Sequence, residues 1–498
     1  MRTKFAVLLA IAAVCVTTTW AGWAPEERVT TNTNYCNMLC SPAGHSVVAT
    51  SGGVRHLVWA ARDLGHGGDQ LYTATYKRYY PGSGWTRDLQ LPPVNTGFSP
   101  VIALDPNGWD IHVLWHGDVV TKKKVSQHVF YQKCVPGSSG NGGWVGAPMD
   151  LTPDGWGMNF PRSVACFQDQ AHVTHVVVTW TRSYNTFGFR ECVGGNWGNT
   201  TYFTPPSIPG HDPLLWPPSI AVDPQGRYGD VFISYCQVDP DDLSSLLVVR
   251  RQGGVWQNPE CVAASYLPSV AIEVDPSTGY PHIVCGTILG GHVYNTYWDP
   301  SGGWQPLEMI SDPSASTEAV NMFFSGGSAF VVWAESSSAS EGIRYRIGKY
   351  GNWTAPAWVI SGYHDESPNV TASSTGNVYV VWERGEVPLA TQIWGRLYTP
   401  GSGGGQAEPI SVSQSGIELF PNPAKAGRVT VSYSLPRAEP VKVTLLDVSG
   451  RAVRTQEIPA TDRSGSFSID VSGLNAGVYV ARLVAGDLSV SKSLVVER

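Results

Sequence analysis

A short apolar stretch ending in an aromatic residue constrains this chain more than any other feature, because it returns. HLVW ends at Trp59, HVLW at Trp115, VVTW at Trp180, FISY at Tyr235, FVVW at Trp333 and YVVW at Trp382, and HIVC fills the same place at Cys285. Successive endpoints are 56, 65, 55, 50, 48 and 49 residues apart. A period of this size marks one supersecondary unit repeated, each copy burying an apolar face against the next.

The flanks repeat as well. Before the phrase stands a run such as SPVIAL (Ser99 to Leu104), PPSIAV (Pro217 to Val222), LPSVAI (Leu267 to Ile272) or SPNVTA (Ser367 to Ala372). A turn follows, Asp105-Pro106-Asn107-Gly108 or Asp223-Pro224-Gln225-Gly226, with Asp275-Pro276-Ser277-Thr278-Gly279 as a longer version. Pro presets the second turn residue and Gly supplies the positive φ that closes it, so these are hairpin connections. After the phrase come a variable polar loop and a third strand such as QHVFYQK (Gln127 to Lys133). A Gly-rich turn then leads to a Trp that opens a fourth strand, at Trp85, Trp144, Trp197, Trp256, Trp304 and Trp353.

Four strands per repeat, seven times, predict an all-β fold: a seven-bladed β-propeller over residues 22–412. The seventh unit lacks the expected Trp in Gly401 to Val412, while Gly22 to Thr30 reads as such a strand, so the N-terminus is expected to close the ring. Gln406 to Ser413 is the alternative. The repeated Trp is expected to pack between blades. His56, His112 and His282 share one repeat position and are expected to be structural.

Composition agrees with a turn-rich β protein. Charged residues are 15% of the 498, beside 54 Gly, 36 Pro, 19 Trp and 21 Tyr. With a net charge of -7 and Lys122 to Lys124 as the one basic cluster, no nucleic-acid partner is expected, because neutralising phosphates needs a basic face. Residues 1–21 have Arg2 and Lys4 ahead of an apolar run and read as a signal peptide, and no later segment is long enough to span a bilayer. Cleavage leaves Cys36, Cys40, Cys134, Cys166, Cys192, Cys236, Cys261 and Cys285, an even number that permits disulfides, although Cys166 and Cys285 fall where a thiol packs as a small hydrophobe.

From Ile417 the tryptophans stop. After a linker at 413–416, about seven short alternating strands in the last 82 residues predict a small immunoglobulin-like β-sandwich over residues 417–498. PNP at Pro421, Asn422 and Pro423 is followed by LLDVSGR with Asp447 and Gly450. LNAGVY with Gly477 and Tyr479, then KSLVVER from Lys492, complete the order. These motifs resemble the C-terminal sorting domain of type IX secretion substrates. The resemblance implies delivery across the outer membrane of a Gram-negative bacterium to the surface or the medium, with the secretion machinery as partner.

The repeat texture of residues 22–412 is similar to the sialidase-like, Asp-box-like propellers, although Asp299 to Trp304 does not follow the Asp-box pattern and no arginine triad or FRIP motif is present. No G-x-S-x-G elbow, phosphate loop, HExxH or EF-hand loop occurs. No cofactor is expected; Asp239, Asp241 and Asp242 are the one place that would suit Ca²⁺.

Function is expected on the face built by the loops after each second strand and before each first strand, since these vary while the scaffold repeats. Arg62, Asp63, Trp156, Arg162, Arg182, Trp216, Asp239, Glu335, His364, Glu383 and Arg384 are the candidate ligand-binding residues. His116, Asp118 and Phe160 lie in the same loops. Aromatics beside Arg and carboxylates suit stacking of sugars or gripping of a peptide. The expected function is a monomeric binding or adhesion module for an extracellular glycan or protein. The alternative is a glycoside hydrolase or lyase with carboxylates from Asp239, Glu335 and Glu383.

Overall fold

The computed structural model describes residues 22–400 and 416–497, except for 33–34, 40–42, 65–71, 93–96, 121–124, 136–142, 156–158, 184, 205–213, 239–243, 265–266, 268, 287–290, 338–339, 388–389, 421–423, 426, 435–439, 448–450, 459–463 and 486–487. The expected signal peptide therefore lies outside the described residues, as do most of the expected linker and Gln406 to Ser413. The described residues are strands and turns, as an all-β chain requires.

Seven inner strands organise the body: Val47–Ala49, Phe98–Leu104, Asn159–Gln168, Ser219–Val222, Ser269–Val274, Ser316–Ser325 and Asp365–Ala372. Each lies against the next, and Asp365–Ala372 returns to Val47–Ala49, so the succession closes into a ring. Outward from each inner strand run antiparallel neighbours, for example Ile111–Val120, Val125–Cys134 and Trp144–Asp150 in the second unit. This is propeller architecture, read from strand pairing alone.

The repeated phrase is the second strand of each unit, and it reads as an unbroken apolar run because blades cover both of its faces. Trp59, Trp115, Trp180, Trp333 and Trp382 are all fully buried. Trp115 packs on Val48, Val58 and Tyr76 of the preceding unit. Trp59 packs on Tyr379, Val381 and Ile393, which joins the first unit to the last. Each Trp thus fills the seam behind its own blade.

The turns match their sequence reading. Asp105, Asp223 and Asp275 accept the backbone N–H two residues on, at 3.0, 3.1 and 2.8 Å, and Gly108, Gly226 and Gly279 take φ of 78°, 59° and 81°.

The last unit borrows its outer strand. Gly22–Trp23 and Glu27–Arg28 pair antiparallel with Ala390–Thr399, in register Gly22↔Thr399 and Glu27↔Gly395. Trp23 packs against Phe330, Tyr345 and Tyr398. Arg396 Nε donates to Ala24 O and the guanidinium sits 5.6 Å over Trp23, just as Arg190 Nε donates to Gly198 O and sits 5.8 Å over Trp197 in the third unit. The second arm of each arginine reaches a carbonyl of the preceding blade, Arg190 to Leu151, Arg346 to Ile310 and Arg396 to Val359. Glu27 fixes the segment from the other side, accepting from Arg55 Nη1 and Tyr379 Oη, both at 2.7 Å.

Seven cysteines, Cys36, Cys134, Cys166, Cys192, Cys236, Cys261 and Cys285, are free thiols; Cys40 lies outside the described residues. Burial pushes Cys134 and Cys236 up to about 11, which leaves them inert as nucleophiles. The shared-position histidines are interior groups. His56 and His112 meet the hydroxyls of Tyr76 and Tyr131 at 2.7 and 2.8 Å, and burial lowers the pKa of His56 and His282 to about 3.

The C-terminal module is two sheets, one of Gly416–Phe420, Arg428–Ser434 and Ser464–Asp470, the other of Ala424–Lys425, Leu488–Glu497, Gly477–Ala485, Val441–Leu446 and Ala452–Ile458. Val429, Val431, Val443, Leu445, Ala481, Leu483 and Leu494 form the core between them. Two of the quoted motifs are turn chemistry. Tyr479 Oη donates to Asn475 O at 2.8 Å, and Asp447 accepts from Arg451 N and Nε, each at 3.1 Å. Lys492 stands in Leu488–Glu497 opposite Ala481, whereas Pro421 to Pro423 and Gly450 lie outside the described residues.

Candidate functional site

At one rim of the ring the second strands end and the inner and third strands begin. The inner strands are irregular there. Ser99, Ala319 and Ser367 hold φ of 47°, 43° and 50°, and the ladder register shifts at each of them and again beside Arg162. Left-handed backbone at a non-glycine residue costs on the order of 1–3 kcal/mol, and bulges re-aim the side chains beside them. Equivalent strain in several blades places a repeated distortion on the face where function is expected.

Beside these bulges the first three units assemble an arc of rings. Tyr72 and Phe98 lie 4.6 Å apart, Phe98 and His116 6.1 Å, and His116 stacks on Phe160 at 4.8 Å and 20°. Tyr72, Phe98 and Phe160 are half-buried, while His116 is buried between them. Two arginines end the arc. Arg62 lies 5.9 Å from the Tyr72 ring and Arg162 5.6 Å from the Phe160 ring. Arg62 Nε is buried and has no hydrogen-bond partner among the described residues. Burial pushes Tyr72 up to about 12, reinforced by the Cys36 thiol 3.5 Å from its hydroxyl. His116 contacts Asn159 O at 2.9 Å and Asp118 Oδ1 at 3.0 Å; burial draws its pKa down against those two acceptors.

Of the residues expected at the site, Arg62 and Arg162 join this arc. Asp63 pairs instead with Tyr35, and Arg182 is held by Asp154 at 3.0 Å and lies 4.1 Å over Tyr202. Trp216 flanks the fourth unit, its backbone N–H donating to Cys236 O at 2.9 Å. Glu335 is buried, accepting from Trp333 Nε1 and Arg344 Nε, both at 2.9 Å. Arg384 is spent on Asp365 and Glu26 and covered by Tyr363. His364 is exposed; against the downward pull of partial burial, Glu366 and Glu341 hold it above its ordinary value. Glu383 is a buried acid whose Oε1 accepts from Leu39 N at 2.8 Å, and burial pushes its pKa up to about 8. Trp156 and Asp239 lie outside the described residues, as does the loop expected to suit Ca²⁺; the described residues hold no metal-binding cluster.

Sequence reasoning missed Tyr72 and Phe98. Each is among the first residues after a variable loop, at the start of a third and an inner strand, and aligning strand starts rather than strand ends would have singled them out.

Residues 418–497 match the family model described as the secretion system C-terminal sorting domain. The C-terminal module is therefore a type IX sorting domain, and the chain that carries it is secreted or attached to the cell surface. No helix among the described residues is long and apolar enough to cross a membrane. No curated protein matches the chain. Among solved structures, it is similar to a protein of unknown function from Dyadobacter fermentans at 12% identity and a TM-score of 0.41, covering 75% of this chain and 98% of that one. A fungal alcohol oxidase of the AA5 family in complex with copper matches at 12% and 0.45, over 96% and 100%. The NanB sialidase of Streptococcus pneumoniae matches at 9% and 0.41, over 66% and 71%.

Proposed function

We propose that the body is a glycan-binding module carried to the cell surface or medium by its C-terminal domain, with the Tyr72–Phe98–His116–Phe160 arc as its stacking platform. The observation that carries this is the run of half-buried rings between Arg62 and Arg162. The C–H face of a sugar packs on such rings while a few placed polar groups fix its orientation. Leaving a buried donor unpaired costs about 1–3 kcal/mol, so a ligand oxygen at Arg62 Nε would recover it. Cleavage is less well supported. Glycoside hydrolysis needs two available carboxyl groups about 5 to 9.5 Å apart, and Glu335 is committed to Trp333 and Arg344 while Glu383 is buried against Leu39 N.

The test is a glycan array probed with the full chain, followed by titration of the best ligand. Phe160→Ala should weaken binding roughly tenfold, about 1.4 kcal/mol, in a chain that still unfolds cooperatively. Binding that ignores Phe160 and Arg62, or turnover of a glycoside, would overturn the reading.

A further inference from the structure

We propose that the second unit carries a serine hydrolase centre, Ser126, His128 and Asp150, acting on small carboxylic esters. It goes beyond glycan binding and does not depend on it.

Ser126 and His128 are two residues apart on Val125–Cys134 and so project from the same surface of the sheet. Ser126 Oγ lies 2.7 Å from His128 Nε2, and His128 Nδ1 lies 2.7 Å from Asp150 Oδ2 at the end of the neighbouring strand Trp144–Asp150. An ionised carboxylate only accepts, so Nδ1 carries the ring proton and Nε2 is free to accept from the serine hydroxyl. That is the tautomer a general base requires. Asp150 is itself held in place, its Oδ1 accepting from Thr152 N at 2.9 Å, and Thr152 Oγ1 in turn accepts from Val129 N at 2.9 Å. Val119 O competes for the serine proton from a longer 3.4 Å.

Two positions facing the pair carry no side chain. The residue opposite His128 on Ile111–Val120 is Gly117. Gly155 has φ of 54°, and a Cβ there would come within 2.9 Å of His128 Nε2 and 3.0 Å of Ser126 Oγ. A side chain at Gly155 would strike both groups. His128 is 5% exposed, whereas Ser126 is half-buried and the Asp150 side chain is 28% exposed, so the base is shielded and the nucleophile can be reached. The Gly155 backbone this close to Oγ limits the acyl group to a short one.

The chemistry balances as ester hydrolysis. Ser126 Oγ adds to the ester carbonyl carbon while its proton passes to His128 Nε2, and Asp150 steadies the imidazolium through Nδ1. As the bond from that carbon to the alcohol oxygen breaks, Nε2 returns the proton to the departing alkoxide, leaving an acyl serine. Water, losing a proton to Nε2, adds to the acyl carbon; the serine–acyl bond then breaks, the proton returns to Oγ and the carboxylic acid leaves.

Incubating the full chain with a fluorophosphonate, then mapping the adduct by mass spectrometry beside p-nitrophenyl acetate turnover, tests this directly. A phosphonyl adduct on Ser126 is expected. Ser126→Ala should abolish adduct and turnover, and Asp150→Asn should slow both by roughly 10³- to 10⁴-fold. The labelling arm uses the unaltered chain and so does not depend on a variant folding. No adduct at Ser126 in the folded chain, or turnover that survives Ser126→Ala, would overturn the proposal.

Discussion

The body and the C-terminal module are both built only of strands, yet they bury them differently. In the module one face of each strand is covered, and Val441–Leu446 alternates buried and less buried residues along its length. In the body the second strands are covered on both sides, and Val231–Val238 is buried at all but its last residue. Two-sided burial draws charge inside with it. Arg251 joins Glu191 and Asp230, and Arg384 joins Asp365 and Glu26, each arginine side chain under a tenth exposed, while the module's Lys442–Glu457 pair stands in solvent. The difference teaches that the module is held by one apolar core, and the body by seams in which a few groups are irreplaceable.

The largest expected effect lies in a seam. Trp115→Ala removes the fully buried ring between the first two blades and should cost about 3–5 kcal/mol, read as a lower midpoint for the body's unfolding in denaturant with the module's transition unmoved. A smaller effect sharpens the contrast in pH dependence. The pKa of Glu383 is raised from about 4.5 to about 8, so its contribution is complete below pH 4.5 and is lost as pH rises through 8. Glu383→Gln should therefore stabilise the body at pH 8 and leave it unchanged at pH 4 in thermal melts. At the small end, Lys442→Ala in the module should leave the melting temperature where it was, because an exposed pair is screened by solvent. A shift there as large as that of Trp115→Ala would erase the comparison.

The same contrast explains what the sequence made legible. Repeat spacing located the buried tryptophans and the Asp-turns because identical seams need identical residues. The motifs of the last 82 residues were readable because Tyr479 and Asp447 act within their own turns. The site was harder. Arg384 and Glu335 looked like rim residues in the linear pattern, but salt bridges to Asp365 and Arg344 consume them, and no local spacing announces such partners. Tyr72, Phe98, His116 and Phe160 come from three successive units and become neighbours only where those blades pack side by side.

Ring closure by the N-terminal segment underlies the body's fold, and the ladder it forms with the last unit reports on it. Gly22 and Thr399 are opposite each other in the ladder. Trp23 and Tyr398 are the next pair, with their rings in contact, and oxidising a chain carrying Trp23→Cys and Tyr398→Cys should give a 23–398 disulfide in peptide mapping. If the two thiols stay free, or pair elsewhere while the chain remains folded, the account of how the ring closes is wrong.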